Sequence, residues 1–235
     1  MTNLITRVFR IRKVLVGRDF YQSRQVKCPR LTFGNRYANW TFCPDNLDAN
    51  SVVYSFGVGE DVSFDLQMIE HYDMHIHAFD PSPRSINWLH KQDLSEKFHF
   101  YPYGLAGKDG NVVFSEPAEP GHYSLKLMGS GPGEDQGLKT HLLKVYRLPT
   151  VLGKLNHNKI DILKMDIEGA EYEVIDDIVR SSVPIYQVMI EFHHRFDGVG
   201  IGKTKQAISK LNEAGYKIFN VSATGEEISF IKSGS

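Results

Sequence analysis

Acids and histidines stand directly after several short apolar runs of this chain. They are Asp80, Asp166, Glu168, Glu191, His193 and His194. Carboxylates accept hydrogen bonds from ribose hydroxyls, and an imidazole titrates near neutral pH and can take up a proton. These residue types suit nucleoside binding and proton transfer.

The clearest pattern joins two glycines to one of these acids. The apolar run 52–56 ends at Gly57 and Gly59, a helical pattern follows, and the run 74–79 ends at Asp80. Glycines let backbone N–H groups approach a ligand, and an acid about 20 residues later can accept hydrogen bonds from a ribose. Because this spacing matches, we predict a nucleoside-binding βαβ unit.

The residues after the turn argue against a dinucleotide. A dinucleotide fold places a third glycine three residues after Gly59, where Val62 stands. Glu60 and Asp61 would repel a pyrophosphate, but they suit a ligand with an ammonium or sulfonium group. Asp61 has two open interpretations, a cap for the helix or a contact to the ligand, and they do not exclude each other.

Composition and length predict one soluble globular domain with a sizeable core. The chain has 235 residues, of which 41% are hydrophobic and 23% charged. No apolar run reaches the roughly 18 residues that span a bilayer, and no signal-peptide pattern opens the chain. Two cysteines without metal-ligand spacing predict no disulfide scaffold, so the expected location is cytoplasmic.

Charge is distributed unevenly. Residues 1–36 hold nine of the 27 basic residues and one of the 28 acids, so the remainder carries a net charge of −9. An acidic main domain argues against nucleic acid as a partner. Leu4, Val8, Ile11 and Leu15 share one face of a basic helix, which could lie on an anionic membrane. We favour a helix packed on the domain with its basic residues in water. The sequence does not indicate the oligomeric state.

Alternating strand and helix patterns predict a mostly parallel sheet with helices on both faces. The predicted strands are 52–56, 74–79, 98–103, 160–165 and 185–190. The alternating segments 216–222 and 227–232 predict a final hairpin, which adds an antiparallel strand. Ligands of such sheets bind beyond the carboxyl ends of the strands, where the polar residues above stand.

Two further segments flank this core. Residues 1–50 are predicted to form a basic helix and an aromatic cover, and residues 51–235 the main domain. Asp109-Gly110 predicts a turn into an added strand at 111–115. The segment 116–137 is too long for a simple connection and predicts a mobile lid or a disordered excursion. Within this segment, we expect Tyr123, Ser124 and Leu125 to make the ordered contacts.

Four motifs resemble a known family. They are VYSFGVGEDVSFD, HAFDPSP, YGLAG and LKMDIEGAEYEVI. Over residues 35–232 the chain resembles the FkbM family of S-adenosyl-L-methionine-dependent methyltransferases, in the branch that includes the methyltransferase-like 24 proteins. The resemblance implies a Rossmann-like class I methyltransferase, an α/β/α sandwich around a seven-stranded, mostly parallel sheet with an antiparallel C-terminal hairpin strand. It also implies S-adenosyl-L-methionine as cofactor and S-adenosyl-L-homocysteine as product.

The resemblance assigns roles to single residues. The implied cofactor-binding residues are Phe56, Gly57, Val58, Gly59, Glu60, Asp61, Asp80, Pro81, Ser82, Gly104, Leu105, Asp166, Ile167 and Glu168. The glycine turn would meet the methionine part of the cofactor, with Glu60 or Asp61 near its ammonium group. Asp80 would hold the ribose, and residues 81–82 and 104–105 would border the adenine. Residues 166–168 would flank the sulfonium and the methyl acceptor. Two positions depart from the family pattern, Ser55 in place of an acid and Leu148-Pro149 in place of Leu-Asp.

FkbM-like enzymes are associated with O-methylation, so the resemblance implies a hydroxyl acceptor on a small molecule or glycan. The cofactor brings an activated methyl group, and the protein must position the acceptor and remove its proton. The candidates for this base are His193, His194, Glu168 and Glu191. Asp166, Glu191 and His193 could instead hold Mg²⁺ together with Glu168. We do not favour a metal on sequence grounds, because carboxylates at strand ends often serve the cofactor.

Two other classes of function stay open. A catalytically silent domain could bind S-adenosyl-L-methionine or its demethylated product and regulate a partner. An NAD(P)-dependent oxidoreductase would use a similar βαβ unit, but the missing third glycine argues against it.

Overall fold

A computed structural model describes residues 2–17, 19–36, 38–115, 126–127, 140–196 and 198–233. The helices are α1 Thr2–Leu15, α2 Ser63–Tyr72, α3 Pro83–Leu89, α4 Leu148–Leu155, α5 Glu171–Ser181 and α6 Gly200–Glu213. The strands are β1 Leu31–Phe33, β2 Trp40–Phe42, β3 Val53–Phe56, β4 Ile76–Phe79, β5 Phe98–Tyr101, β6 Gly104–Leu105, β7 Gly110–Ser115, β8 Lys126–Leu127, β9 Thr140–Tyr146, β10 Ile160–Met165, β11 Ile185–Glu191, β12 Tyr216–Val221 and β13 Glu227–Lys232.

A seven-stranded sheet forms the centre of the fold, in the order β12-β13-β11-β10-β3-β4-β5. The pairs from β11 to β5 are parallel, whereas β13 is antiparallel to both β11 and β12. The predicted fold class and the final hairpin are confirmed. Strand order reverses between β3 and β10, so the carboxyl ends of these two strands form the topological switch point.

Helices cover both faces of this sheet, as predicted. The α4, α5 and α6 helices pack on one face, and α2, α3 and the β1–β2 hairpin pack on the other. The β10 strand is buried along its whole length. Its Leu163 and Met165 pack in the hydrophobic core under α4, α5 and α6, and its Ile162 packs in the core on the opposite face, under α2. Because successive side chains point to opposite faces, an apolar strand of this kind requires a layer of cover on each side.

A second sheet with the strand order β6-β9-β7-β8 was not indicated by the sequence. The strand predicted at 111–115 exists as β7, but it pairs with β9 and β8 and does not extend the main sheet. Its main partner is distant in sequence, so local turn chemistry could not identify it. The predicted lid at 116–137 lies outside the described residues apart from β8, and so do Tyr123, Ser124 and Leu125.

The N-terminal helix α1 forms as predicted, but two side chains of its apolar face do not pack on the domain. Val8 and Ile11 are each 59% exposed. Arg10 attaches the helix instead, donating hydrogen bonds to the carbonyl oxygens of Ser222 and Phe20. A guanidinium has several donors in a fixed plane, so one arginine can donate to two carbonyl oxygens. Apolar side chains have no donor for these oxygens.

The cover segment joins the main core. Trp40 and Phe42 of β2 are buried beside α2 and the strands of the main sheet. The division of the chain at residue 50 stays a prediction. None of the helices described reaches the length and apolar character needed to cross a membrane. The predicted cytoplasmic location and the exclusion of nucleic acid also stay predictions.

Candidate active site

A tight turn after β3 brings the backbones of two parallel strands together at the switch point. Gly57 has a φ of 74°, and its N–H donates to the carbonyl oxygen of Phe79 at 2.9 Å. A Cβ atom at Gly57 would lie 1.6 Å from the carbonyl oxygen of Asp166, so only glycine fits. Gly59 has a φ of 57°, and no atom of the described residues lies within 4 Å of an added Cβ. The turn therefore offers open space for a ligand at Gly59.

Asp80 ties this turn to the loop after β4. Its carboxylate accepts hydrogen bonds from the N–H groups of Gly59 at 2.9 Å and Ser82 at 2.8 Å. Ser82 caps α3 as predicted, accepting from the N–H of Ser85 at 3.2 Å. Each carboxylate oxygen can accept a second hydrogen bond. Asp80 can therefore hold a ribose hydroxyl while it maintains the shape of the turn.

One cleft at the ends of β3 and β4 contains most of the predicted cofactor residues. It is lined by Phe56, Gly57, Gly59, Asp80, Pro81, Ser82, Ser85, Gly104, Leu105, Phe114, Leu143, Val145, Asp166, Ile167 and Glu168. Phe114, Leu143 and Val145 come from the second sheet, whose pairing the sequence did not indicate. The cleft has polar groups at the strand ends and an apolar wall, an arrangement that suits a polar sugar joined to a flat base.

A second cleft opens on the other side of the same turn, beside the β1–β2 hairpin. It is lined by Ala38, Asn39, Trp40, Gly57, Val58, Gly59, Glu60, Asp61, Phe64, Asp65, Lys164, Asp166, Glu191 and Glu227. The remaining predicted cofactor residues, Val58, Glu60 and Asp61, lie here. Gly57, Gly59 and Asp166 line both clefts. The two clefts therefore meet at the glycine turn and the end of β10.

The two acids beside the turn have partners within the chain. Glu60 forms an ion pair with Arg84. Asp61 accepts a hydrogen bond from the N–H of Ser63 at 2.9 Å and another from the side chain of Asn35. Asp61 therefore accepts from the N–H of Ser63, the first residue of α2, which agrees with its proposed role at the start of this helix. Contact between either acid and a cofactor ammonium group stays a prediction.

Beyond β10 and β11, several acids surround one histidine. His193 Nδ1 lies 2.7 Å from Glu171 Oε1, and His193 Nε2 lies 3.5 Å from Glu168 Oε2 and 3.6 Å from Asp166 Oδ1. Glu191 joins them, because one side-chain atom each of Asp166, Glu191 and His193 lie within 4.8 Å of one another. We call these five residues the carboxylate–histidine group. It brings together every predicted catalytic residue except His194.

Burial and mutual charge shift the protonation of this group. Burial raises the pKa of Glu168 to about 8, against the opposing effect of His193. Burial, followed by the charge of Asp166, raises the pKa of Glu191. Burial alone would lower the pKa of His193, but the hydrogen bond that it donates to Glu171 and the surrounding carboxylates raise it to about 10. Near neutral pH these raised pKa values favour acids that hold protons beside a charged His193, so a cationic ligand would have to displace protons from the group.

Glu171 and Lys164 were not among the sequence-based candidates. Glu171 is fully buried, and its Oε1 also accepts from the N–H groups of Ile167 at 3.3 Å and Gly169 at 3.1 Å. Lys164 is 4% exposed and donates from Nζ to the carbonyl oxygen of Gly57 at 3.2 Å. A lysine inside the apolar run IDILKM is a sequence signal, because lysine is almost never fully buried without a partner. Glu171 gives no such signal, since it stands among other acids of α5.

His194 lies apart from the carboxylate–histidine group. It is buried, its Nε2 lies 3.4 Å from Asp19 Oδ1, and its ring packs edge-on against Phe20. Of the two adjacent histidines, the structure places His193 towards the group and His194 towards Asp19 and Phe20.

Comparison with known proteins agrees with the motifs. The sequence profile of the methyltransferase FkbM domain matches residues 35–218, which confirms the family resemblance. A probable methyltransferase-like protein 24 from Rattus norvegicus is 25% identical over 185 residues, covering 75% of this chain and 44% of that protein. Its counterpart from Homo sapiens is 24% identical over 162 residues, covering 68% and 37%. The chain thus spans less than half the length of these relatives. A solved structure of methyltransferase FkbM from Methylobacillus flagellatus aligns with a TM-score of 0.48 and 12% identity, covering 79% of this chain and 44% of that one.

Proposed function

We propose that this chain, which belongs to the FkbM methyltransferase family, transfers the methyl group of S-adenosyl-L-methionine to a hydroxyl group of a small molecule or glycan. The observation that carries the proposal is the meeting of two clefts at Gly57, Gly59 and Asp166. One cleft suits a nucleoside. The other is lined by polar, charged and aromatic side chains, which suit a hydroxylated acceptor. The carboxylate–histidine group stands where the two clefts join.

The residues of the first cleft fit the cofactor. Gly59 has open space beside its Cα, and Asp80 keeps free acceptor capacity for a ribose. The apolar wall formed by Phe114, Leu143 and Val145 suits an adenine ring. Asp166 lies at the junction, where a carboxylate would stabilise a sulfonium by charge.

The chain's own residues have two tasks in methyl transfer. When bound, S-adenosyl-L-methionine supplies a methyl group on a sulfonium, and the sulfur keeps the electron pair of the broken S–C bond. The protein must hold the acceptor oxygen in line with that bond, and the second cleft lies beside the junction. The hydroxyl proton must also be removed as the O–C bond forms. The carboxylate–histidine group contains the side chains able to accept it.

Calorimetry and mass spectrometry test the proposal in two steps. We expect S-adenosyl-L-methionine and S-adenosyl-L-homocysteine to bind the purified chain, and one component of a panel of hydroxylated small molecules and glycans to gain the mass of one methylene unit. Cofactor binding without any methylated product would favour a silent regulatory domain. Enhanced NAD(P)H fluorescence, with no binding of either sulfur nucleoside, would favour an oxidoreductase and overturn the proposal.

A further inference from the structure

We propose that Asp166, Glu191 and His193 form a binding site for a divalent transition-metal cation, which orients the acceptor oxygen. The binding site stands on the geometry of these residues alone. Its part in methyl transfer rests on the proposed function.

The three side chains converge from neighbouring elements of the sheet. Asp166 follows β10 directly, Glu191 ends β11, and His193 stands two residues further on. One ligand atom from each lies within 4.8 Å of the other two. Donors bound to one ion at about 2.1 Å lie roughly 3 to 4 Å apart. Small rotations of the side chains therefore bring all three atoms into coordination distance.

Glu168, which faces the imidazole of His193, has a carboxyl group that is incompletely partnered within the described part of the chain. His193 is 8% exposed, and its Nε2 faces Asp166 and Glu168 at 3.6 and 3.5 Å, beyond the length of a good hydrogen bond. Glu168 Oε2, which faces this Nε2, is buried and has no hydrogen-bond partner among the described residues. A buried polar atom without a hydrogen bond is costly. A cation between Nε2 and the carboxylates would give the Glu168 oxygen a partner.

Glu171 orients the histidine for this role. Its Oε1 lies 2.7 Å from His193 Nδ1, so Nδ1 keeps its hydrogen towards Glu171. A bound cation would displace the proton from Nε2 and take its lone pair. The N–H groups of Ile167 and Gly169 hold the same carboxylate oxygen. A carboxylate behind a metal-bound histidine fixes the ring and strengthens the ligand. Glu171 is thus a positioning residue.

The ligand set indicates the kind of cation. Two carboxylates and one imidazole suit Mn²⁺, Fe²⁺ or Zn²⁺, whereas Ca²⁺ and Mg²⁺ prefer oxygen ligands alone. Three protein ligands leave positions for a substrate oxygen, and Asp166 and Glu191 both line the second cleft. A cation there would polarise a hydroxyl and hold it beside the junction of the two clefts.

Binding of Mn²⁺ to the chelator-treated full chain tests the site, with free Mn²⁺ measured by electron paramagnetic resonance. We expect one ion per chain, and a loss of affinity of at least about 10-fold in Glu191→Gln and in His193→Asn. Glu173→Gln is the matched control, because Glu173 is an exposed acid of α5, and it should leave affinity unchanged. Absence of Mn²⁺ binding, or equal affinity in all four proteins, would overturn the proposal.

A second measurement needs no variant and covers the case in which the substituted proteins fail to fold. In the unmodified chain, bound Mn²⁺ should broaden the NMR signal of the methyl group of bound S-adenosyl-L-methionine, because Asp166 lines both clefts. An unbroadened signal would place any bound Mn²⁺ elsewhere and refute the site. Methyl transfer that survives chelation would contradict the role of the cation only, whereas Mn²⁺ binding without transfer to any acceptor would contradict the proposed function only.

Discussion

The carbonyl oxygen of Asp166 occupies the place that a side chain on Gly57 would need, since an added Cβ would lie 1.6 Å from it. This contact locks the turn after β3 to the end of β10. The glycine turn and the carboxylate–histidine group are therefore in direct backbone contact, and a change in one should disturb the other.

We predict that Gly57→Ala unfolds or strongly destabilises the protein. The new methyl group clashes with backbone that cannot move without breaking the β3–β10 pairing, and the positive φ adds strain of about 1–3 kcal/mol. Gly59→Ala is the matched control, because it also has a positive φ but open space around its Cα; it should cost about 1–2 kcal/mol. Urea unfolding measures both losses. Equal losses of unfolding free energy in the two variants would show that the clash with Asp166 does not determine the need for glycine at position 57.

We predict that Asp80→Ala weakens binding of S-adenosyl-L-methionine by at least about 10-fold, because charged hydrogen bonds contribute about 1.5–3 kcal/mol each. The substitution removes the acceptor of the Gly59 and Ser82 N–H groups as well as the expected partner of the ribose. Asp80→Asn should lose less, since it keeps one oxygen. Calorimetry measures the affinities, with Asp93→Ala, a change of an exposed acid, as the control. Unchanged affinity in Asp80→Ala would exclude the ribose role.

We predict that Lys164→Met destabilises the fold by about 1–3 kcal/mol, because it removes the donor to the Gly57 carbonyl oxygen and a positive charge near the buried Asp65 carboxyl. Burial raises the pKa of Asp65 to about 6, and Lys164 opposes this rise. The double variant Lys164→Met with Asp65→Leu should recover much of the loss, since it removes both charges. Urea unfolding of the two single variants and the double variant completes the cycle. A double variant no more stable than Lys164→Met would show that the two residues are not coupled.

We predict that acid destabilises the protein through His77. Burial, and then the charges of His157, His99 and His75, lower its pKa from 6.5 to about 3. Between these values the unfolded chain binds the proton and the folded chain does not. Stability from this group is therefore complete above pH 6.5 and falls as pH decreases towards 3, by at most about 1.4 kcal/mol per pH unit and by less where solvent screens the ring.

His77→Gln tests this dependence when unfolding is measured from pH 7 to pH 4. The variant should lose stability less steeply on acidification than the unmodified protein. His90→Gln is the control, because His90 is exposed, and it should follow the unmodified protein. If the unfolding free energy falls with pH in the same way in all three proteins, His77 is not the source of the acid sensitivity.

The candidate site was predicted in part. The glycine turn, Asp80 and the acids after β10 could be placed from sequence because each follows an apolar run, and parallel strands present their carboxyl ends at one edge. The direction of the adjacent His193 and His194 could not be predicted, since it depends on how the chain leaves β11. The burial of Glu171 could not be predicted either, because its partners are backbone N–H groups of the preceding loop and a histidine of the segment after β11.

The sequence by itself determined the main sheet, since apolar runs bounded by glycine and polar residues are local patterns. The strand predicted at 160–165 is β10 itself. Only the tertiary structure decided the pairing of β7 with β9, the attachment of α1 through Arg10, and the assembly of four acidic side chains around His193. Each of these depends on contacts between residues distant in sequence, whose free energy is realised only when the whole chain has folded.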